Sequence, residues 1–308
     1  MKKTMTSLSA NGTAGATPHF RCGSVQANGI EFQYLEFGSG PLALCLHGFP
    51  DSPWTYRHLL PELARAGFRA VAPFMRGYAP TEIPADGDFS TQALTNDPNA
   101  LHAALGGDGD AVLIAHDWGA IAGWGALAAD PTRWRRAVIG SVPPFGCAEF
   151  SYPQLKRSFY FWLFQMAFAD TIVAADNMAF LDGLWGDWSP GYDAAFDLAK
   201  VKECLGHPSN LKAALGYYRR YFEPSRFGSA DWVQEQGALC GRPVPQPVLY
   251  LHGTRDGCFG LDAIAFDAIP KVLGPGSAVE KVANAGHFFW VEKPELVNER
   301  TLRFLASA

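Results

Sequence analysis

Six mostly apolar runs of five to eight residues recur along the chain, IEFQYLEF, PLALCLHG, FRAVAPFM, AVLIAHD, RAVIGSV and PVLYLHG, with helical patterns between them. Runs apolar at nearly every position suit strands buried on both faces, the situation of a parallel sheet. One helix candidate opens at Asp51/Ser52 and runs through YRHLLPELARAG to a stop at Gly67. A second runs from about Trp118 through GAIAGWGALAAD and is stopped by Pro131. Strands and helices in alternation predict an α/β protein with a doubly wound, mostly parallel sheet. The alternation breaks after Pro143-Pro144. From Phe145 to Val244 the chain turns aromatic and helical, as in SFYFWLFQMAF and NLKAALGYYRRYF, and the sheet pattern resumes at PVLYLHG. The expected organisation is a disordered leader over residues 1–19, a core from residues 20–144 and 245–308, and a helical insertion over 145–244.

Composition narrows the classes of function. The net charge is −5 with no basic cluster, which argues against nucleic acid or an anionic membrane as the main partner. No apolar run approaches the roughly 18 residues of a membrane span. The first residues, MKKTMTSLSANGTAGATPHF, lack the apolar stretch of a signal peptide. Six cysteines (Cys22, Cys45, Cys147, Cys204, Cys240, Cys258) are scattered without a C-x-x-C pair, the pattern of reduced thiols in a cytoplasmic protein. Nothing indicates a metal or an organic cofactor, and the expected partner is a small neutral molecule.

The candidate site begins at Ala115-His116-Asp117-Trp118-Gly119, where an apolar strand gives way to a helix. Small residues on either side of Asp117 allow a sharp turn that pushes the central side chain into the open, as in a nucleophile elbow. The alternative is an ordinary N-cap aspartate. Three further segments favour catalysis. His47-Gly48-Phe49-Pro50 follows a strand and can aim a backbone N–H at a developing oxyanion. Asp256, in LHGTRDG, is placed to orient a histidine, and His287, in NAGHFFWVEKPEL, precedes a helix starting near Pro294. The order Asp117, Asp256, His287 is the nucleophile, acid, histidine order of α/β-hydrolases.

From about Val25 onward the chain resembles α/β-hydrolases of the epoxide hydrolase group. The resemblance is carried by His47-Gly48-Phe49-Pro50, Arg76-Gly77-Tyr78, His116-Asp117-Trp118-Gly119 and the Asp256 and His287 segments. Several of these are shared with haloalkane dehalogenases, and Ala115 and Ala79 stand where family members usually carry glycine. The resemblance implies an α/β-hydrolase fold in which the insertion is a cap. An aspartate attacking saturated carbon forms an ester that water can later cleave, whereas a serine would form an ether. No Gly-x-Ser-x-Gly occurs, so a serine esterase is disfavoured. The scheme makes Asp117 the nucleophile and His287, held by Asp256, the base that activates water. The backbone N–H groups of Phe49 and Trp118 form the oxyanion hole.

Tyr160-Phe-Trp-Leu-Phe164-Gln165 and Leu215-Gly216-Tyr217-Tyr218-Arg219 resemble the two tyrosine-bearing segments of epoxide hydrolase caps. The resemblance implies that Tyr160 and Tyr218 donate to the epoxide oxygen, with Tyr217 the weaker choice. The expected substrate pocket contains His47, Phe49, Trp118 and Phe164, and the expected partners are an apolar, aryl-type epoxide and water; a homodimer is compatible with this reading. Two alternatives stay open. A dehalogenase would cradle the halide with Trp118 and a cap tryptophan (Trp162, Trp185 or Trp188), since Phe49 offers no side-chain donor. A silent hydrolase fold would bind an apolar ligand without turnover.

Overall fold

A computed structural model describes residues 19–307; apart from His19, the expected leader lies outside the described residues. Eight strands form one sheet in the order β1-β2-β4-β3-β5-β6-β7-β8. They are β1 (Arg21–Ala27), β2 (Ile30–Gly38), β3 (Leu42–Leu46), β4 (Arg69–Pro73), β5 (Val112–His116), β6 (Arg136–Gly140), β7 (Val248–Gly253) and β8 (Ala278–Val282). The pairs β1–β2 and β2–β4 are antiparallel, and all other neighbours are parallel. Strands β3, β5, β6 and β7 are buried at every position, which is why their sequences run apolar without alternation.

The helices of the first half are α1 (Leu59–Arg65), α2 (Thr91–Ala104) and α3 (Trp118–Ala129). The first differs from the sequence expectation. Residues Pro53–Tyr56 form a separate 3-10 turn and α1 starts only at Leu59. Pro61 explains the delay, because a proline without an N–H is tolerated in a helix's first turn but clashes with the preceding turn when placed deeper. Helix α2 carries Pro98 in its interior and is capped by Ser90, whose Oγ accepts from the Ala93 N–H at 3.2 Å. Buried Arg76 grips Asp97 of α2 with two hydrogen bonds, of 2.6 and 3.0 Å, and Asn28 donates to the same carboxylate at 2.6 Å.

Between β6 and β7 the described chain contributes no strand to the sheet. It forms α4 (Tyr152–Arg157), α5 (Phe159–Leu163), α6 (Ala169–Trp188), α7 (Ala195–Leu205), α8 (Pro208–Tyr221) and α9 (Ala230–Cys240). A left-handed turn at Asp176, Asn177 and Met178 (φ 49°, 53° and 59°) interrupts α6. The chain ends in α10 (Phe289–Glu292) and α11 (Pro294–Ala306). Among the described residues no helix is long and apolar enough to cross a membrane.

Candidate active site

Four loops leaving the C-terminal ends of parallel strands converge: Gly48-Phe49 after β3, Asp117 after β5, Asp256 after β7 and His287 after β8. That edge is where open α/β sheets place their ligands. Asp117 holds φ 54° and ψ −120°, a conformation rare for a residue with a side chain. Close packing maintains it: a Cβ at Gly119 would lie 2.4 Å from the Leu46 carbonyl oxygen, so only glycine lets α3 approach β3 this closely. The Asp117 carboxylate is thereby split between two tasks. Oδ1 accepts from the Phe49 N–H at 2.7 Å, while Oδ2 lies 3.6 Å from His287 Nε2. On the far side of the imidazole, Nδ1–H donates to Asp256 Oδ2 at 2.9 Å. Asp256 is fixed in turn through Oδ1, which accepts from the N–H groups of Cys258 (2.8 Å) and Phe259 (2.9 Å). His287 is fully buried, and its Nε2 has no hydrogen-bond partner.

The two tyrosines named from sequence meet here although they lie in α5 and α8. Their ring centroids are 5.5 Å apart. The Tyr160 hydroxyl is 3.3 Å from Cys258 Sγ, and the Tyr218 ring packs edge-on against Trp118 at 4.9 Å. Tyr217 turns away, donating its hydroxyl to the Arg76 carbonyl at 2.7 Å.

The family model of the α/β-hydrolase fold matches residues 41–294. An epoxide hydrolase of Caballeronia sordidicola is 30% identical, over 91% of this chain and 92% of that protein. The chain belongs to the epoxide hydrolase group of the α/β-hydrolases. Epoxide hydrolase A of Mycobacterium tuberculosis is 27% identical, over 91% of this chain and 96% of its own. Among solved structures, a mutant epoxide hydrolase from Bacillus megaterium, complexed with its product (R)-3-[1]naphthyloxy-propane-1,2-diol, superposes with a TM-score of 0.80 at 27% identity. That match covers 92% of this chain and 100% of the other.

In this epoxide hydrolase the electrostatics separate the histidines. Burial works to lower the His287 pKa, but the carboxylates of Asp256 and Asp117 outweigh it and raise it to about 10. Burial pushes Asp256 up, and the His287 charge and hydrogen bond more than reverse this, holding it below the ordinary carboxylate value. For His116 and His47 burial outweighs the pull of nearby carboxylates and lowers them to about 3 and about 4. Both sit in the framework, His116 Nε2 lying 2.9 Å from the His287 carbonyl oxygen and His47 Nε2 accepting from the Met75 N–H at 3.0 Å. Burial also raises the phenols of Tyr160 and Tyr218 well above their usual range, keeping both as O–H donors.

A cavity of about 370 Å³ opens over Asp117. Its wall is chiefly aromatic, with Trp118, Trp124, Phe145, Phe222 and Trp232, and its polar end is formed by Asp117, Tyr160, Tyr218 and Cys258. Of the expected pocket residues only Trp118 belongs to this wall. Phe49 and Phe164 instead pack on each other (5.6 Å) and on Tyr218 (5.2 and 5.1 Å), while the His47 ring is occupied by backbone contacts. Sequence reasoning missed Cys258, whose one signal was its place two residues after Asp256, and missed the contribution of α9 to the wall.

Proposed function

We propose that the enzyme opens apolar, aryl-substituted epoxides through an ester on Asp117. Oδ2 attacks a ring carbon, a C–O bond forms as the ring C–O bond breaks, and Tyr160 and Tyr218 supply the hydrogen bonds and proton that the departing alkoxide needs. His287 then takes a proton from water attacking the ester carbonyl, and the N–H groups of Phe49 and Trp118 hold the oxyanion on Oδ1. On collapse the His287 imidazolium gives its proton to the departing oxygen, which releases a vicinal diol, and the new Asp117 carboxyl passes its proton to His287 and returns to the carboxylate. The observation that carries this reading is the division of the carboxylate: Oδ1 already rests on the Phe49 N–H, and Oδ2 faces a histidine nitrogen that has no other partner.

The raised pKa of His287 fits this order of events. Ester formation removes the Asp117 charge, one of the influences that keep the imidazole protonated, so His287 then releases its proton, which makes good the one a tyrosine gave to the alkoxide, and stands neutral and able to accept from water only once an ester is present to cleave. Residues 145–244 are read as the cap that supplies both tyrosines, with 20–144 and 245–308 as the core. The aromatic cavity supports an aryl substrate, as does the naphthyloxy diol bound by the B. megaterium relative. The halide alternative is weakened because the N–H of Trp185, one of the cap tryptophans that could cradle a halide, already donates to the Pro50 carbonyl at 2.7 Å.

Intact-protein mass measured on His287→Gln after incubation with styrene oxide tests the proposal. The expected result is a stable adduct equal to the whole epoxide, mapped to Asp117. An adduct formed only from an alkyl halide, and lacking the halogen, would move the assignment to dehalogenation.

A further inference from the structure

Cys258 has no part in the reaction just described, yet it faces the nucleophile and the base. One ligand atom from each of Asp117, Cys258 and His287 lies within 4.8 Å of the other two, and all three residues are buried. We propose that these three side chains form a binding site for a soft divalent cation of the zinc type, and that a bound ion holds the hydrolase inactive. Carboxylate oxygen, thiolate sulfur and imidazole nitrogen are the donor types zinc takes, and three protein ligands leave a fourth position for water. That position faces the cavity, which Asp117 and Cys258 both line.

The geometry beyond proximity supports a cation. His287 Nε2 is a fully buried nitrogen without a hydrogen-bond partner. Its ring is oriented from behind by Asp256 at 2.9 Å, the arrangement in which a carboxylate steadies a metal-binding imidazole. Two ligands on a tetrahedral zinc ion stand about 3.5 Å apart, from bond lengths of roughly 2.0–2.3 Å. Asp117 Oδ2 and His287 Nε2 are already 3.6 Å apart. A small rotation of the Cys258 side chain, whose sulfur is otherwise held by the Tyr160 hydroxyl at 3.3 Å, completes the set. On binding, the Cys258 thiol and the His287 imidazolium each release a proton to the buffer as the metal–sulfur and metal–nitrogen bonds form. The ion would occupy the attacking oxygen and the basic nitrogen together, so it competes with the epoxide. This inhibition, unlike the binding, rests on the catalytic roles proposed above.

Equilibrium dialysis of the full chain against zinc chloride in chelator-free buffer tests the site. One zinc per chain is expected in the wild type and in Cys22→Ser, which removes the exposed cysteine. Affinity should fall at least roughly tenfold in Cys258→Ala and in His287→Gln. Cobalt(II) should give a thiolate charge-transfer band in the near ultraviolet that Cys258→Ala abolishes. With active enzyme, zinc should raise KM at unchanged kcat, reversibly on adding EDTA. Equal zinc affinity in wild type and Cys258→Ala, or loss of the ion in Cys22→Ser, would overturn the site. Zinc lowering kcat without raising KM would overturn the inhibition. If Cys258→Ala does not fold, His287→Gln decides by the same dialysis. Neither dialysis nor the cobalt spectrum requires turnover, so failure of the proposed reaction is distinguished from failure of the metal site.

Discussion

Gly48→Ala tests whether the placing of Asp117, the proposed nucleophile, and not its mere presence, limits the rate. A Cβ at position 48 would lie 2.1 Å from Asp117 Oδ1, 2.4 Å from its Cβ and 2.6 Å from its Cγ. Favourable contacts between such atoms need about 3.5 Å, so the carboxylate must withdraw by roughly 1 Å. Oδ1 then leaves the Phe49 N–H and Oδ2 leaves its position before His287. Misplacement by about 1 Å lowers rates around 10²-fold, and loss of one oxyanion donor costs about 10²–10³-fold, so kcat/KM should fall by at least about 10²-fold. The fold should survive. Position 48 does not require positive φ; because the Asp117 Cβ is fixed to its backbone, the two turns must part slightly, at about 1–3 kcal/mol, against a gain of roughly 0.4–1 kcal/mol from stiffening the unfolded chain. Initial rates of diol formation from an aryl epoxide, measured beside the thermal midpoint, provide the assay. A folded variant within about threefold of wild type would refute the reasoning. Gly119→Ala is the contrasting case: its Cβ would meet the Leu46 and His47 carbonyl oxygens at 2.4 and 2.6 Å, backbone atoms that cannot swing aside, so folded yield should drop before activity can be measured.

Tyr218→Phe should slow turnover more than Tyr160→Phe, because the Tyr160 hydroxyl is shared with Cys258 at 3.3 Å; the double change should lose about 10²–10⁴-fold, and a reversed order in steady-state rates would contradict the assignment. Acid should weaken the fold through two buried histidines, against a smaller opposing gain from the buried carboxyls of Asp51 and Asp97, whose raised pKa values favour the folded state as pH falls. His47 and His116 are lowered from 6.5 to about 4 and about 3, so the unfolded chain takes up protons that the folded chain refuses as pH falls below 6.5. Each then removes about 2 kcal/mol by pH 5, whereas raised His287, whose stabilisation is full below pH 6.5 and is lost progressively as pH climbs from there to 10, returns about 1 kcal/mol over the same drop. Equal urea midpoints at pH 7.5 and pH 5 would count against this. Arg76→Ala leaves Asp97 buried without its cation and should destabilise by about 3–5 kcal/mol, with the pair Arg76→Met and Asp97→Leu recovering most of it in chemical denaturation.

The legible part of the fold was the part buried on both faces. Strands β3, β5, β6 and β7 have no polar face, so their sequences could be read from apolar runs alone. Strands β1 and β8 lie at the two edges of the sheet, carry partly exposed and charged positions, and escaped notice. Helix α2 escaped because Asn96-Asp97-Pro98 has the composition of a turn, and its Asp97 is held within the helix by Arg76 from outside it. In the candidate site, Asp117, Asp256 and His287 were readable because each follows a strand at a turn. The cavity wall was not, since Trp124 and Trp232 come from helices more than a hundred residues apart and no local periodicity records that they face one space. The resemblance ranked Tyr218 above Tyr217, and the bond from Tyr217 to the Arg76 carbonyl supplies the physical reason, one that no local pattern records.

The aromatic wall also bears on how the reaction finishes. Epoxide opening converts one ether oxygen into two hydroxyl groups, while the groups able to receive them are gathered at the Asp117 end of the cavity. Both hydroxyls form at that end, beside groups that can pair with them, and so escape the roughly 1–3 kcal/mol that an unpartnered hydroxyl would lose against apolar side chains. The diol therefore keeps partners in the site, and accumulated product should compete with the epoxide, so that conversions slow as diol builds up.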